Sequence, residues 1–126
     1  MRHTVRLHGV IVGHSELENV DPDLGRAWGE FRPGLGYELV QPIFALFAHA
    51  VPRDGSPKDR EMLDRYHESR DALHLELQDD RGQTIKTSAI HIADYSGEAN
   101  APPPELDVLI SEHAYWVRRA GLMQRH

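Results

Sequence analysis

Alternating apolar and polar residues at the start of the chain predict β-strands. Over residues 4–12, Val5, Leu7 and Ile11 recur among polar residues, which favours one strand. A second strand is predicted over residues 25–31, where small and apolar residues alternate with larger polar or aromatic ones until the proline and glycines of residues 33–36 end it.

Apolar residues at spacings of three and four predict two helices in the middle of the chain. The first covers about residues 38–50, and Pro42 restricts where it begins because proline fits only the first turn. The second begins at Ser56 and Pro57 and runs to about Arg70. Its face is mostly charged, so we expect three residues to dock it on the core: Met62, Leu63 and Tyr66.

A β-hairpin is the clearest pattern in the second half of the chain. Leucines at alternate positions over residues 73–77 are followed by a turn at residues 79–82 and a second strand over residues 84–95, with a bulge near residues 87–89. Residues 96–104 form a proline-rich loop or arm. Residues 105–120 fit a strand or a helix, and Pro104 with Glu105 at the start favours the helix.

These elements predict an α+β fold in which two or three helices pack on one face of an antiparallel sheet of about four strands. The 126 residues are expected to form a single domain over 1–126, with the loop at 96–104 inside it. The proline-rich arm and the apolar segment near the end also favour a homodimer.

Composition narrows the classes of protein. The sequence contains no cysteine, which excludes a disulfide scaffold and thiolate metal sites and fits a cytoplasmic location. The first apolar run is too short for a signal peptide, and no run is long enough for a membrane span. A net charge of −6 disfavours nucleic acid and anionic membranes as partners, and the composition resembles that of small acidic bacterial proteins.

Four chemically capable side chains follow the first predicted strand. His14, Glu16 and Glu18 would share one side of a continued strand, and an imidazole with two carboxylates can bind a divalent metal. The alternative is structural: Ser15 and Glu18 fit a capping box that begins a helical turn, and residues 21–25 fit a chain turn. We favour the structural interpretation.

Acid–base catalysis is a further possibility for this segment. His91 could meet His14 across the sheet, and a carboxylate from Glu16 or Glu18 could orient it. The candidate catalytic residues are therefore His14, Glu16 and His91. The alternative is a half-buried His91 whose hydrogen bonds are made with backbone.

Arg32 and Tyr37 flank a glycine-containing turn that precedes a predicted helix. They are candidate contacts for an anionic group at the helix N-terminus, although a plain strand-to-helix turn explains the same residues. Trp28 lies on the more polar face of its predicted strand, so a partner or a second subunit is expected to cover it.

The leading hypothesis is therefore a small non-enzymatic binding protein that acts through a protein partner or as a homodimer, with no cofactor. The first alternative is a small enzyme with a His/Glu acid–base or divalent-metal site around His14. The second is a protein that binds a small anionic ligand through Arg32 and Tyr37.

Overall fold

The structure is a computed structural model that describes residues 1–51 and 60–124. Within these residues the chain forms nine strands and three α-helices. The strands form one antiparallel sheet of five strands and another of four. The predicted α+β class with antiparallel strands is confirmed, with two sheets in place of one. The strands are β1 (His3–Leu7), β2 (Val10–Ser15), β3 (Asn19–Asp21), β4 (Arg26–Glu30), β5 (Arg32–Pro33), β6 (Glu76–Gln78), β7 (Thr84–Ile85), β8 (Thr87–Ala93) and β9 (Glu105–Ile110). The helices are α1 (Gln41–Ala50), α2 (Arg60–Leu73) and α3 (His113–Gln124), with a 3₁₀ helix at Leu35–Leu39.

The five-stranded sheet has the order β5-β2-β1-β6-β7, and the four-stranded sheet has the order β3-β4-β9-β8. The chain passes between the sheets at Phe31, which separates β4 from β5, and at Lys86, which separates β7 from β8. At the first crossing, the N–H of Phe31 donates to the carbonyl oxygen of Pro104 at 2.8 Å. At the second, the N–H of Ser111 donates to the carbonyl oxygen of Lys86 at 3.0 Å. β4 and β5, like β7 and β8, therefore follow each other with one residue between them but belong to different sheets.

The core lies between the inner faces of the two sheets and beneath the helices. Burial of these side chains supplies most of the favourable free energy of folding. The large side chains that are almost fully buried include Val5, Val12, Leu17, Phe31, Phe44, Tyr66, Leu77, Ile92, Leu106 and Tyr115.

The single strand predicted over residues 4–12 is wrong, because β1 and β2 form a hairpin there. The turn residues His8 and Gly9 have φ angles of 47° and 85°, the left-handed conformation that two-residue hairpin turns require. The guanidinium of Arg6 donates to the carbonyl oxygen of Gly9 at 3.0 Å and fastens the turn.

The helical turn expected from the capping box at Ser15 and Glu18 is also absent. Leu17 has a φ of 44° and is fully buried, and its N–H donates to Oγ of Ser15 at 3.1 Å. Burial of this leucine turns the chain toward β3 instead of starting a helix. The chain turn predicted over residues 21–25 is confirmed by hydrogen bonds from Leu24 and Gly25 to the carbonyl oxygens of Asp21 and Pro22.

The segment at residues 105–120 divides into a strand and a helix, so the favoured helix is correct only for its second part. β9 lies between β4 and β8, and its alternate residues Leu106, Val108 and Ile110 are buried. Pairing on both edges and burial of one face outweigh the helical spacing of the same residues.

The helices follow the sequence pattern closely, whereas the hairpin predicted over residues 73–95 is confirmed only where β6 pairs with β7, because β8 pairs with β9 in the other sheet. α1 begins beside Pro42, and α2 docks through Leu63 and Tyr66 as predicted, although its expected start at Ser56 lies outside the described residues. The bulge falls between Thr87 and Ala89. α1 and α2 pack against each other and against β8, whereas α3 contacts β1 and the connection after β2. Residues 96–104 contain no strand or helix.

Candidate functional site

The outer face of the five-stranded sheet carries a row of polar side chains from four adjacent strands. Arg32 of β5 lies opposite His14 of β2, His14 lies opposite Thr4 of β1, and Thr4 lies opposite Gln78 of β6. Because strands are about 4.8 Å apart, the four residues form one continuous line across the sheet. Together with Arg2 and Arg6 on either side of Thr4, we call this set the arginine face.

Three guanidinium groups therefore surround one imidazole. Arg6 is held in place, since its Nε donates to Oε1 of Gln78 at 2.8 Å. No carboxylate among residues 1–51 and 60–124 forms an ion pair with Arg2 or Arg32.

His14 is uncharged at neutral pH in this setting. Partial burial, followed by the positive charges of Arg2 and Arg6, lowers the pKa of His14 below its usual value. A hydrogen bond of 3.1 Å joins its Nδ1 to Oγ1 of Thr4. This hydrogen bond orients the ring on the sheet.

Two shallow cavities meet along this face. One has a volume of about 200 Å³ and is lined by Arg2, His14 and Arg32 together with Ser15 and Glu16. The other has a volume of about 360 Å³ and is lined by Arg2, His14 and Arg6 together with two acidic residues of the turn after β6, Asp79 and Asp80. Both cavities are lined by Arg2 and His14, so they adjoin on this face, and we call the two together the groove.

No family model matches the chain, and no similar chain is found among curated proteins or solved structures. The chemistry of the arginine face therefore has to be derived from its own residues. Within the described residues, no helix has both the length and the apolar composition needed to cross a membrane.

Glu16 and Glu18 do not join His14 in one cluster. Oε2 of Glu16 lies 3.2 Å from the amino group of Met1, and Oε2 of Glu18 accepts a hydrogen bond of 3.1 Å from the N–H of Glu30. Among the described residues, no group of three or more histidine, aspartate or glutamate side chains is placed to hold a metal ion. The set His14, Glu16 and Glu18 is thus divided among separate contacts.

His91 lies on the four-stranded sheet, so it does not meet His14. Its Nδ1 shares a hydrogen bond with the hydroxyl of Tyr66, and its ring centroid is 4.3 Å from that of Phe47. Burial lowers the pKa of His91 to about 4, and burial also raises the pKa of Tyr66. Of the three candidate catalytic residues, His14 and Glu16 line one cavity, whereas His91 is a neutral packing residue beneath α1 and α2.

Tyr37 is separated from Arg32 as well. It lies in the 3₁₀ helix, is only 8% exposed, and donates to Oδ2 of Asp94 at 2.5 Å. Burial, the hydrogen bond to Asp94 and that carboxylate's charge raise the pKa of Tyr37. Arg32 thus keeps a place in the candidate site, whereas Tyr37 belongs to the interior.

Sequence reasoning did not find Arg2 and Arg6, the other two arginines of the site. Their spacing around Thr4 is a signal, because residues at alternate positions of a strand point to the same face. A second polar cluster was also missed. Tyr115 is hydrogen-bonded to His3 at 3.0 Å and to Arg119 at 2.8 Å, and Arg119 donates to the carbonyl oxygen of Leu17 at 2.5 Å. This cluster fastens α3 to the sheets.

Proposed function

We propose that this protein is a non-catalytic binding protein that holds a small anionic ligand on the arginine face. The observation that supports this most directly is the convergence of Arg2, Arg6 and Arg32 around His14 on one sheet face. An acid–base mechanism receives no such support, since His14 is hydrogen-bonded to Thr4 and Glu16 to the amino group of Met1.

Arginine suits an oxyanion better than any other side chain. Its planar guanidinium donates two parallel hydrogen bonds to a carboxylate or phosphate and stays charged at every physiological pH. Arg6 is already oriented by Gln78, so less conformational entropy is lost when it binds. The neutral ring of His14 and the hydroxyl of Thr4 add uncharged hydrogen-bonding groups between the cations.

Three guanidiniums and three carboxylates line the groove: Arg2, Arg6 and Arg32 against Glu16, Asp79 and Asp80. Two of these carboxylates have partners of their own, because Glu16 pairs with the amino group of Met1 and Asp79 accepts hydrogen bonds from the N–H groups of Arg81 and Gln83. Those partners offset part of the negative charge near the arginines. The dimensions favour a small ligand, because the larger cavity, of about 360 Å³, lies in the range of small-molecule sites and the smaller one, of about 200 Å³, lies below it.

The ligand class that we propose is a small molecule with more than one negative charge, carried on phosphate or carboxylate groups. Arg32 lines one end of the groove and Arg6 lines the other, with Arg2 and His14 shared between them. Two anionic groups can therefore each meet a guanidinium. We also propose a cytoplasmic location, which the lack of cysteine supports.

Titration calorimetry with inorganic pyrophosphate tests this function. Replacement of Arg32 or Arg2 by glutamine is expected to weaken binding about tenfold or more, because each removes a charged double hydrogen bond. Arg65→Gln on α2 is the matched control, since it removes the same charge from an exposed side chain whose ion pair with Glu61 lies at the surface. The Arg65 variant is expected to bind within about twofold of the unmodified protein.

Two results would contradict the proposal. Equal losses in the Arg32 and Arg65 variants would mean that binding follows net charge and not this groove. If neither pyrophosphate nor a tricarboxylate binds measurably at low ionic strength, the proposed anionic ligand class is wrong.

A further inference from the structure

One face of the four-stranded sheet is covered by α1 and α2 at β8, where His91 packs against Phe47, and its remaining part carries a second, partly exposed surface apart from the arginine face. Trp28 of β4 lies opposite Asp107 of β9, with the pair Arg26 and Leu109 on one side of it and the pair Glu30 and Glu105 on the other. These six residues form what we call the tryptophan surface. Trp28 is half-buried and Leu109 is 39% exposed.

Trp28 is held rigidly by its neighbours. Arg26 donates to both carboxylate oxygens of Asp107, with Nη2 lying 2.7 Å from Oδ2, and its guanidinium carbon lies 4.2 Å from the centre of the Trp28 ring. An indole that is already fixed loses little conformational entropy when a partner covers it. Rigid tryptophan and arginine side chains are the residues most enriched at binding hot spots.

The charges around Trp28 are strongly one-sided. The fully described strands β3, β4 and β9 contribute Arg26 as their one basic residue to this face, against four acidic residues: Asp21, Glu30, Glu105 and Asp107. Glu30 and Glu105 are direct cross-strand partners, and like charges at such positions destabilise a sheet. Burial, reinforced by the negative charge of Asp107, raises the pKa of Glu105.

We propose that the tryptophan surface docks a basic segment of a protein partner. Lysine or arginine side chains of that segment pair with Glu30 and Glu105 and relieve their repulsion, while an apolar side chain covers Trp28 and Leu109. Charge complementarity selects this occupant, because a face with four carboxylates and one guanidinium disfavours an acidic or neutral segment. The sequence led us to expect a protein partner that covers Trp28, and this proposal specifies that the partner contributes basic and apolar side chains.

The test uses two peptide probes and calorimetry on the whole protein. One peptide alternates lysine and leucine over about seven residues, and the other has glutamate in place of each lysine. Trp28→Ala removes the apolar centre, and the double variant Glu30→Gln with Glu105→Gln removes the paired charges. The matched control is the double variant Asp64→Asn with Glu68→Gln, which makes the same change in charge at exposed positions of α2.

We expect the lysine peptide alone to bind, with a loss of about tenfold or more in Trp28→Ala and about fivefold in the double glutamine variant. The α2 control is expected to stay within about twofold. If Trp28→Ala fails to fold, the double glutamine variant still tests the proposal, because it keeps the apolar packing and replaces two carboxylates by amides of nearly the same shape. Equal binding of the two peptides, or an equal loss in the α2 control, would overturn the proposal. Light scattering that shows self-association, abolished by Trp28→Ala, would assign the surface to a second copy of the chain and would also overturn it.

Discussion

Gly13 of β2 leaves the space that the ring of Phe31 occupies. A Cβ atom at position 13 would lie 2.3 Å from Cζ of Phe31 and 2.6 Å from the carbonyl oxygen of Arg32. Phe31 is almost fully buried and packs edge-on against Tyr37, with the ring centroids 5.4 Å apart. The missing side chain therefore lets Phe31 reach the core and lets β5 place Arg32 beside His14.

Gly13→Ala is expected to destabilise the protein by about 1–3 kcal/mol, the usual cost of overpacking a dense core. It should also weaken anion binding, because β5 must move away from β2. Urea denaturation measures the first effect and calorimetry the second. Gly97→Ala is the control, since a Cβ there meets nothing within 4 Å. Equal stability of the two alanine variants would contradict the close packing of Gly13 against Phe31.

Local patterns in the sequence predicted the elements whose residues interact with near neighbours. The first two helices and the turn at residues 79–82 were found from spacing alone, but the predicted hairpin of residues 73–95 is only partly correct. Leu73 ends α2, and only β6 and β7 pair across the turn. β8 pairs with β9 in the other sheet, and the bulge lies in that pairing. The turn at His8 and Gly9 was missed although Gly9 is a local turn signal, because the apolar residues on both sides of it continue the pattern of one strand. β9 was assigned to a helix because its residues also fit a helical spacing and because β4, one of the two strands that pair with it, is far away in sequence.

The candidate site could be predicted only in part for the same reason. Arg32 and His14 were identified separately, but their pairing depends on contact between β2 and β5, which the sequence does not display. Tyr37 follows Arg32 closely in sequence, yet the 3₁₀ helix turns its side chain inward to Asp94. Proximity along the chain was a poor guide to proximity in space.

Two buried histidines make the stability depend on pH. His3 is fully buried and has a pKa of about 4 because of burial and the nearby charge of Arg119, and burial lowers the pKa of His91 to the same value. Between about pH 4 and pH 6.5 the unfolded chain binds more protons than the folded one. The free energy of unfolding is therefore expected to fall as the pH falls through this window, by up to roughly 3 kcal/mol for each histidine.

Urea denaturation at a series of pH values measures this dependence. His91→Phe removes one of the two titrating groups and is expected to reduce the slope between pH 4 and pH 6.5 by about half. His8→Asn, at an exposed position, is expected to leave the slope unchanged. A slope that is the same in all three proteins would show that other groups cause the acid sensitivity.

The pair Tyr37 and Asp94 is expected to contribute to stability and not to ligand binding. Burial raises the pKa of Asp94, but the hydrogen bonds from Tyr37 and Ser96 together outweigh it and hold the pKa below its usual value. Tyr37→Phe and Asp94→Asn should each destabilise the protein, with a coupling of about 1–3 kcal/mol in a double-mutant cycle. Asp80→Asn, at an exposed position, is the control.

The same variants distinguish the interior from the arginine face. Tyr37→Phe is expected to bind pyrophosphate as tightly as the unmodified protein, since its hydroxyl is directed at Asp94 and not at Arg32. A loss of affinity comparable to that of Arg32→Gln would return Tyr37 to the ligand site and would contradict the separation seen here.

His14 is expected to make anion binding stronger at lower pH. In the free protein, partial burial and the charges of Arg2 and Arg6 hold the pKa of His14 below 6.5. A bound anion favours the protonated ring and raises that pKa, so binding takes up a proton and the affinity increases as the pH falls from about 7.5 to 5.5. The groups that face His14 and set this balance are Arg2, Arg6, Thr4, Glu16 and Arg32.

Sulfate is the suitable probe, because its own charge is constant over this range of pH. An increase in affinity of up to about tenfold is expected, which corresponds to a change of one unit in the pKa of His14 on binding. His14→Gln should remove the dependence, whereas His8→Asn should preserve it. Circular dichroism at each pH checks that the protein is still folded, because protonation of the buried histidines lowers its stability as the pH falls. A dependence that survives in His14→Gln would show that protonation elsewhere controls binding and would place the imidazole outside the anion site.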